Sequence, residues 1–443
     1  MAQARLIQRL GRGRRQRQRG VALIITLLAL AILTTLLTEF SVQTNVDYQT
    51  ALNARDELRA ELAARSVLDI GRLIIYLQKK LLDGNRQIRQ MLGPVNLMDF
   101  APMFLPAIAE STNEFKDLAA GFGIDASAIK GIGLGPVRIE IEPDSDDGRI
   151  NLSCAGGRTN QVATQNAILD TLVGVMADPR YDRLFELADA NGQFSDRLTT
   201  ARAIIDFSDA DEVIVQGTPL ATGQAATAGS GPAGPEDYRY DSGDDPYLPK
   251  NNKYDSVEEV HLAKGVGDDF MMAFGDFLTV YPFNPSVSQG GCKLQITGIR
   301  GPLVPMLVYL GAPQNANRNE LTLLAGQMRI LGDKRSGLTG TPPFSNVQEL
   351  VDAAKDPCAE LSTLAPGTAC NVAGMQLDAA KLKQFIDESD RPRRIYRLRV
   401  SAAAGKVRRR VTAIWDNELF NPHPINPDDA SQRQGFWQYY RVE

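Results

Sequence analysis

The chain has 443 residues, 43% of them hydrophobic, which is enough for two or three domains with a sizeable core. Its formal net charge is -5, but residues 1–20 carry seven arginines and no acid, so the remainder sums to -5 - 7 = -12. This acidic body argues against a nucleic-acid-binding protein. The four cysteines contain no CxxC pair, and only two histidines are present, so a zinc site with thiolate ligands is not expected.

The arginine-rich start is followed by an apolar segment. From Val21 the sequence reads VALIITLLALAILTTLL, with no charged residue before Glu39. As a helix this segment spans about one bilayer. The preceding arginines predict that the start lies in the cytoplasm and that the long C-terminal part is periplasmic, where disulfides persist.

The junction RQRG|VALII has more than one interpretation. A cleaved secretory signal would have a shorter apolar core and an AxA site, which is absent from Thr38 to Val46. An uncleaved signal anchor fits any tethered protein. A basic leader that ends in Gly20, directly before apolar Val21, also resembles the leader that prepilin peptidase removes, which leaves the apolar segment in the mature protein.

Helical patterning continues beyond the apolar segment. Apolar residues recur at three- and four-residue spacing, and no proline occurs before Gly93. The residues are Leu58, Leu62, Ile70, Leu73, Ile74, Leu77 and Leu81. We predict one helix from Val21 to about Leu82, about 90 Å long, that stops near Gly84 and presents an apolar stripe to a globular head.

Two segments predict β-hairpins. PVRIEIEPDSDDGRINLS places Val137, Ile139 and Ile141 on one strand face, with a turn at 146–148 and a second strand at 149–153. RIYRLRVSAAAGKVRRRVTAIW predicts a second hairpin with its turn at 402–405. We expect the two hairpins to form an antiparallel sheet packed on the N-terminal helix.

The sequence between the hairpins is helical and then polar. Residues 161–190 and 194–205 are predicted to be helices, and 217–234 a low-complexity loop. KYDSVEEVHLAKGVGDDFMMAFGDFLTVY predicts a helix capped by Ser256, a KGVG turn and a short helix from Phe270 to Phe277. A related pattern at 342–354 predicts another helical unit.

These segments occur in an order that resembles the K-type minor pseudopilin family of type II secretion systems. The motifs are GRINLS, DFSDADEV, EDYRYDSGDDPYLPKNNKYDSVEEV, KGVG, FLTVY and the late hairpin. The resemblance extends from Arg17 to about Asp416, although the loop at 217–234 is longer than usual. Pilin-like proteins generally have a glutamate at the fifth mature position. Ile25 stands there instead, as in K-type proteins, although a plain signal anchor would lack the glutamate too.

The resemblance implies an α+β fold, with a long N-terminal transmembrane helix packed on an antiparallel pilin-like sheet and an inserted, mainly α-helical domain. The implied parts are a leader (1–20), a transmembrane and stalk helix (21–82), a first pilin-like part (83–157), an inserted helical domain (158–288) and a second pilin-like part with a helical insertion (289–443).

The implied function is that of a minor pseudopilin at the pseudopilus tip, anchored in the bacterial inner membrane. There it nucleates pseudopilus assembly and supports protein export across the outer membrane, without enzymatic activity. The implied partners are the I- and J-type minor pseudopilins, the major pseudopilin, prepilin peptidase and the membrane, with no nucleic acid. The alternatives are a minor pilin of a type IV pilus, or a signal-anchored periplasmic binding protein with helix-hairpin-helix elements. A signal-anchored hydrolase would require a catalytic set, and His261 and His423 lie in no nucleophile motif.

Acidic residues flank the low-complexity loop, and calcium takes six to eight oxygen ligands. The resemblance implies that these residues bind calcium in the inserted domain, whereas the alternative is a solvated acidic surface. The candidate ligands are Asp206, Asp209, Asp211, Glu212, Glu236, Asp237, Asp244 and Asp245, with Asp241 beside them.

The four cysteines allow three pairings. Cys154 and Cys292 each lie at a predicted strand edge, where the inserted domain leaves and rejoins the sheet, and the ends of an insertion are usually close together. We therefore expect a Cys154–Cys292 bond, and a Cys358–Cys370 bond from proximity in sequence. Each bond would stabilise the fold by about 3 to 5 kcal/mol in the loop-entropy model.

Overall fold

The computed structural model describes most of the chain. The described residues are 2–83, 95–103, 137–157, 162–186, 195–211, 214–215, 240, 247–285, 292–337, 342–389, 391–420 and 434–443. Side chains are described from Val21 onward, apart from those of Val162, Phe420 and Gln434. The predicted stop at Gly84 and the predicted loop at 217–234 lie outside these residues.

One helix, α1, runs from Ala2 to Leu77 and continues as a π-helical turn from Gln78 to Asp83. The predicted continuous helix from Val21 to Leu82 is confirmed, and the arginine-rich start extends it. Within the apolar segment the hydroxyls of Thr34, Thr35 and Thr38 donate to carbonyls four residues earlier, at 2.6–2.9 Å. The polar atoms of this segment are therefore satisfied inside the helix, as a lipid environment requires.

The remaining elements are strands and helices of varied length. In chain order they are β1 (Val137–Ser145), β2 (Ile150–Asn151), α2 (Val162–Met176), α3 (Asp182–Glu186), α4 (Arg197–Asp206), α5 (Asp268–Phe274), β3 (Leu278–Thr279), β4 (Leu294–Gln295), α6 (Val304–Gly311), α7 (Arg318–Ser336), α8 (Val347–Lys355), α9 (Pro357–Leu364), α10 (Ala379–Phe385), β5 (Ile386–Asp387), β6 (Ile395–Ala404), β7 (Val407–Phe420) and β8 (Gln434–Val442). Single 3₁₀ turns occupy Leu97–Phe100, Leu152–Cys154, Pro179–Tyr181, Val257–Leu262, Gly275–Phe277, Ile296–Gly298 and Gly301–Leu303.

Four strands form one antiparallel sheet in the order β1-β6-β7-β8. The late hairpin is confirmed as β6–β7, with Gly405 at φ +57° in its turn. The prediction of an early hairpin is wrong, because β1 pairs with β6 and β2 pairs in parallel with β3. At the 146–148 turn the chain leaves β1 for the helical part. Gly148 packs closely there, and an added Cβ on it would lie 2.2 Å from the carbonyl of Gly298.

The helical predictions are partly confirmed. The helix expected at 161–190 is interrupted after Met176, and Pro179 begins a separate 3₁₀ turn before α3. The segment after Ser256 is a 3₁₀ helix, and Ser256 donates and accepts no capping bond among the described residues. The next helix begins at Asp268, directly after the KGVG turn, and not at Phe270.

Two hydrophobic cores result from this topology. One core packs α1 on the sheet, where inward residues of alternate strand positions, such as Ile139, Leu398 and Val411, meet buried alanines of the helix. The other is helical, and it draws on residues from Ile150 to Ile386 together with Ile395 and Ile414 at the end of the sheet. The helices of 158–288 and those after 289 therefore share one core.

The contacts along α1 fix the direction of the sheet. The β6–β7 turn lies level with the start of the stalk, since Gly405 abuts Asp56 and Arg409 pairs with Glu57. The opposite end lies higher on the helix, where the guanidinium of Arg72 stands 5.3 Å from the ring centre of Trp415. The helical core joins the sheet at this upper end, so it is the part of the head farthest from the apolar segment.

We expect Leu398→Ala to lower the free energy of unfolding by about 2–5 kcal/mol, because Leu398 is fully buried between the sheet and α1. Urea unfolding of the full chain in detergent, followed by tryptophan fluorescence, measures the change. Leu323→Ala is the control, since Leu323 is 60% exposed and its loss should cost less than about 0.5 kcal/mol. Equal effects of the two substitutions would contradict the described packing.

Candidate functional site

The acidic turn at 146–148 joins the two cores. Asp146 is fully buried, and Arg397 donates two hydrogen bonds of 2.7 Å to its carboxylate. The Thr279 hydroxyl, from the helical core, donates a third at 2.7 Å. Burial alone would raise the pKa of Asp146, but Arg397 and Arg149 outweigh it, so the pKa is lowered and the carboxylate stays ionised.

Asp147 contacts the backbone on both sides of the junction. Its carboxylate accepts the N–H of Arg394 at 2.7 Å and that of Ile395 at 3.2 Å, which positions the start of β6. Its own carbonyl accepts the N–H of Gln295 at 2.9 Å, where the helical core returns to the sheet. Burial raises the pKa of Asp147 to about 6, because the N–H donors and Arg393 only partly compensate the lost hydration.

Further ion pairs extend this junction to either side. Asp144 pairs with Arg149 at 2.6 Å and with Arg300 at 3.4 Å. Burial opposes ionisation of Asp144, but the two arginines lower its pKa to about 2. Arg300 and Arg393 both reach Asp99, in the turn that follows α1. The network thus ties the stalk, the sheet and the helical core together.

A small cavity of about 50 Å³ lies beside the junction, lined in part by Asp147, Arg149, Asn151 and Arg394. This volume holds one or a few water molecules and is too small for an organic substrate. The arginines in its wall are committed to carboxylates, Arg394 to Asp416 at 3.0 Å among them. The junction therefore couples the two cores through charge pairs and backbone hydrogen bonds.

Three of the predicted calcium ligands lie in one turn at the end of α4. Asp206 and Asp209 are fully buried, and Asp211 is half-buried. Asp206 accepts the N–H of Val215 at 2.8 Å, and Asp209 accepts the side-chain amide of Gln165 at 2.9 Å. Burial, together with the charges of Asp206 and Asp211, raises the pKa of Asp209 to about 8.

The negative charges of these three acids would favour a bound cation. Oδ1 of Asp209 is buried and has no hydrogen-bond donor within the described part of the chain. Among those residues, however, no group of three His, Cys, Asp or Glu side chains is arranged to hold a metal ion. The other candidates lie outside the described residues, so the calcium site stays a prediction. They are Glu212, Glu236, Asp237, Asp244 and Asp245.

The structure pairs Cys154 with Cys292 and Cys358 with Cys370, the two pairings expected from the sequence. The Cα atoms are 5.8 and 5.3 Å apart. The first bond links Cys154, three residues after β2, to Cys292, two residues before β4, near the two ends of the segment between those strands. It therefore lies next to the acidic turn and supports the same junction.

The processing residues lie within α1. Gly20 and Val21 belong to the uninterrupted helix, and the apolar side chains from Val21 to Leu37 are exposed along its length. This segment is long and apolar enough to cross a membrane. Exposed apolar residues continue above it, at Phe40, Val46 and Leu58 among others. Every position from Val21 to Ala51 is exposed, so this part of the helix is available to another protein or to lipid.

Of the two histidines, one lies within the described residues. His261 is exposed, and its nearest charged partner is Asp268 at 3.7 Å. His423 lies outside the described residues.

Sequence reasoning missed the buried charge network. DSDDGR precedes the helical core and RPRRIYRLR begins β6, so both clusters were visible. Their mutual contact depends on the pairing of β1 with β6, which the hairpin interpretation excluded.

Comparison with known proteins adds little. No family model matches the chain, and no curated protein matches it. Among solved structures it is similar to a chain of the GspK-GspI-GspJ complex from the enterotoxigenic Escherichia coli type 2 secretion system. The TM-score is 0.38 at 12% sequence identity, over 69% of this chain and 80% of that chain. A similarity of this size carries no argument about function.

We expect the pH dependence of stability to change with Asp147→Asn. The folded pKa of about 6 exceeds the ordinary 3.8, so the contribution of Asp147 is complete below pH 3.8 and is lost as the pH rises through 6. Relative to the variant, the wild type should lose on the order of 3 kcal/mol between pH 4 and 7.

Denaturant unfolding of the full chain at each pH measures this difference. Loss of one acceptor oxygen shifts the variant by a constant amount, so the slope with pH is the readout. Asp269→Asn, at an exposed position, should leave the slope unchanged. A difference between wild type and Asp147→Asn that stays flat with pH would contradict the buried position of this carboxylate.

Proposed function

We propose that the chain is a minor pseudopilin of the K type, placed at the tip of a type II secretion pseudopilus in the bacterial inner membrane. The observation that carries this proposal is the single uninterrupted helix, which runs from the exposed apolar segment into the core of the head. A flexible linker would serve a simple tether equally well. A rigid helix is required when subunits must hold a fixed register with their neighbours.

The position of the helical core supports a place at the tip. This core joins the sheet at the end farthest from the apolar segment, and Asp276 also contacts Arg399 on the sheet face away from α1. A second subunit that added from above would collide with it, whereas the exposed stalk below stays accessible. The head therefore permits lateral contacts along α1 and opposes growth in the outward direction.

Ile25 is consistent with the same place in the assembly. A carboxylate at this depth of the apolar segment would be costly in lipid unless a neighbouring subunit supplied a cation. Ile25 is 61% exposed on the helix surface and needs no such partner. A subunit with no neighbour above it gains from this replacement.

The proposed partners follow from this role. I- and J-type minor pseudopilins and the major pseudopilin would pack against α1 in the membrane through close apolar contacts. Prepilin peptidase would process the leader, with the N-terminus in the cytoplasm and the head in the periplasm. The chain would act by assembly and not as an enzyme. A type IV minor pilin would require a carboxylate near Ile25, and no described feature favours that alternative.

We expect cleavage between Gly20 and Val21 when the full chain is expressed with an active prepilin peptidase. Intact-mass measurement should then show a protein that begins at Val21, or its N-methylated form. Gly20→Asp should keep its leader, because a charged side chain would replace the residue next to the cut bond. Retention of the leader by the wild type in the presence of the peptidase would refute the proposed function and favour a plain signal anchor.

We also propose that the acids around Asp209 bind calcium. Calcium at ten times its dissociation constant should stabilise the full chain by about 1.4 kcal/mol. Asp209→Asn should abolish this gain without destabilising the calcium-free protein, since it removes repulsion with Asp206 and Asp211. Thermal unfolding with calcium or EDTA measures both effects, and Asp269→Asn is the matched control. Identical melting curves with calcium and with EDTA would leave the solvated acidic surface as the explanation.

A further inference from the structure

Arginines are frequent on β6, β7 and β8, and most of them have a carboxylate partner. Arg397 pairs with Asp146, Arg399 with Asp276, Arg409 with Glu57 and Arg441 with Glu443. In a head whose net charge is strongly negative, such pairing is the expected outcome. Arginines that depart from it therefore require an explanation.

Four cations at one end of the sheet make no ion pair within the described residues. We call them the basic patch, and they are Arg138, Lys406, Arg408 and Arg410. All four are exposed. Glu140 and Glu443 border the patch, but Glu443 is already engaged by Arg441 at 3.1 Å.

The strand register places the patch on a single surface. Arg138 lies opposite Ala403 in β6, and Ala403 lies opposite Arg408 in β7. Arg408 and Arg410 are two residues apart on one strand, so both project from the face away from α1. Lys406 occupies the adjoining turn. The intervening β6 residues, Ser401 and Ala403, are small, and Glu140 lies in the same row as Arg410, across Ser401. The like charges of the arginines repel one another at this spacing.

The patch lies at the end of the head nearest the apolar segment. It surrounds the β6–β7 turn, which lies level with Asp56 and Glu57 on α1. Twenty residues separate Leu37, the end of the apolar segment, from Glu57, which corresponds to about 30 Å of helix. Exposed charges are screened beyond about 8–10 Å at physiological ionic strength, so lipid headgroups lie too far away to neutralise the patch.

From this geometry we propose that the basic patch docks onto an acidic surface of the subunit that lies next to it on the membrane side. The inference rests on the proposed function, because that role places a neighbouring subunit below the head and none above it. The patch would then fix the rotation of the head relative to its neighbour, while α1 supplies the apolar contacts.

The test uses the full chain in detergent together with the I- and J-type minor pseudopilins from the same bacterium. Arg408→Glu combined with Arg410→Glu should weaken binding at least tenfold in 50 mM salt, and should flatten the decrease of affinity with added salt. Arg408→Gln combined with Arg410→Gln should give an intermediate loss. The control is Arg183→Glu combined with Lys334→Glu, which changes the net charge equally on exposed helices and should stay within twofold of wild type. Unchanged melting temperatures would show that each variant is folded.

Three outcomes would overturn the docking proposal. If wild type binds both partners and the Arg408 and Arg410 reversal binds equally well, the patch has no such role, while the proposed function stands. If phosphatidylglycerol nanodiscs without any partner protect Arg408 and Arg410 from phenylglyoxal, the patch contacts lipid instead. A wild-type chain that binds neither minor pseudopilin would refute the proposed function itself, and the docking proposal with it.

Discussion

The acidic turn at 146–148 is where the stalk, the sheet and the helical core hold one another in place. Asp146 binds Arg397 of β6 and Thr279 of the helical core, while Asp147 binds backbone N–H groups at the start of β6 and its carbonyl binds the returning strand β4. Gly148 has no room for a side chain against Gly298. Loss of one partner from such a buried pair commonly costs about 3–5 kcal/mol, because the other charge stays buried. The two cores therefore cannot rotate freely against each other, and forces applied to one are transmitted to the other.

The rigid junction also matters for the long helix α1. A stiff helix embedded in lipid is useful for assembly only if the head is fixed to it, and the head is fixed in two ways. Apolar packing of α1 on the sheet supplies most of the contact, and the pairs of Asp99 with Arg300 and Arg393 extend the charged junction to the turn after the stalk. The position of the helical core is thus determined relative to the apolar segment. The proposed place at the tip of a filament and the proposed docking of the basic patch both depend on this fixed position of the head relative to α1.

The buried charges also set the pKa values of acidic side chains in the described head. Its perturbed carboxylates are engaged in structure, since Asp144 and Asp146 are held ionised by arginines and Asp147 is satisfied by backbone donors. Asp209 differs, because one of its oxygens has no donor and its neighbours carry like charge. It is the position at which an added cation would relieve an existing cost.

The sequence alone determined the features that depend on local pattern. Hydropathy and the absence of proline fix α1, and alternation fixes the β6–β7 hairpin. The position of Cys154 and Cys292 at the ends of an insertion, and the proximity of Cys358 and Cys370 in sequence, led to the pairings that the structure contains. Only the tertiary structure decided how β1 pairs. The DSDDG segment has the composition of a hairpin turn, but Asp146 pairs with Arg397 on β6, at a sequence separation of 251 residues, and Asp147 accepts backbone N–H groups at the start of β6. These buried contacts outweigh the local preference. The unpaired arginines of the basic patch follow from the same register, because strand pairing sets which charges find partners and which stay exposed.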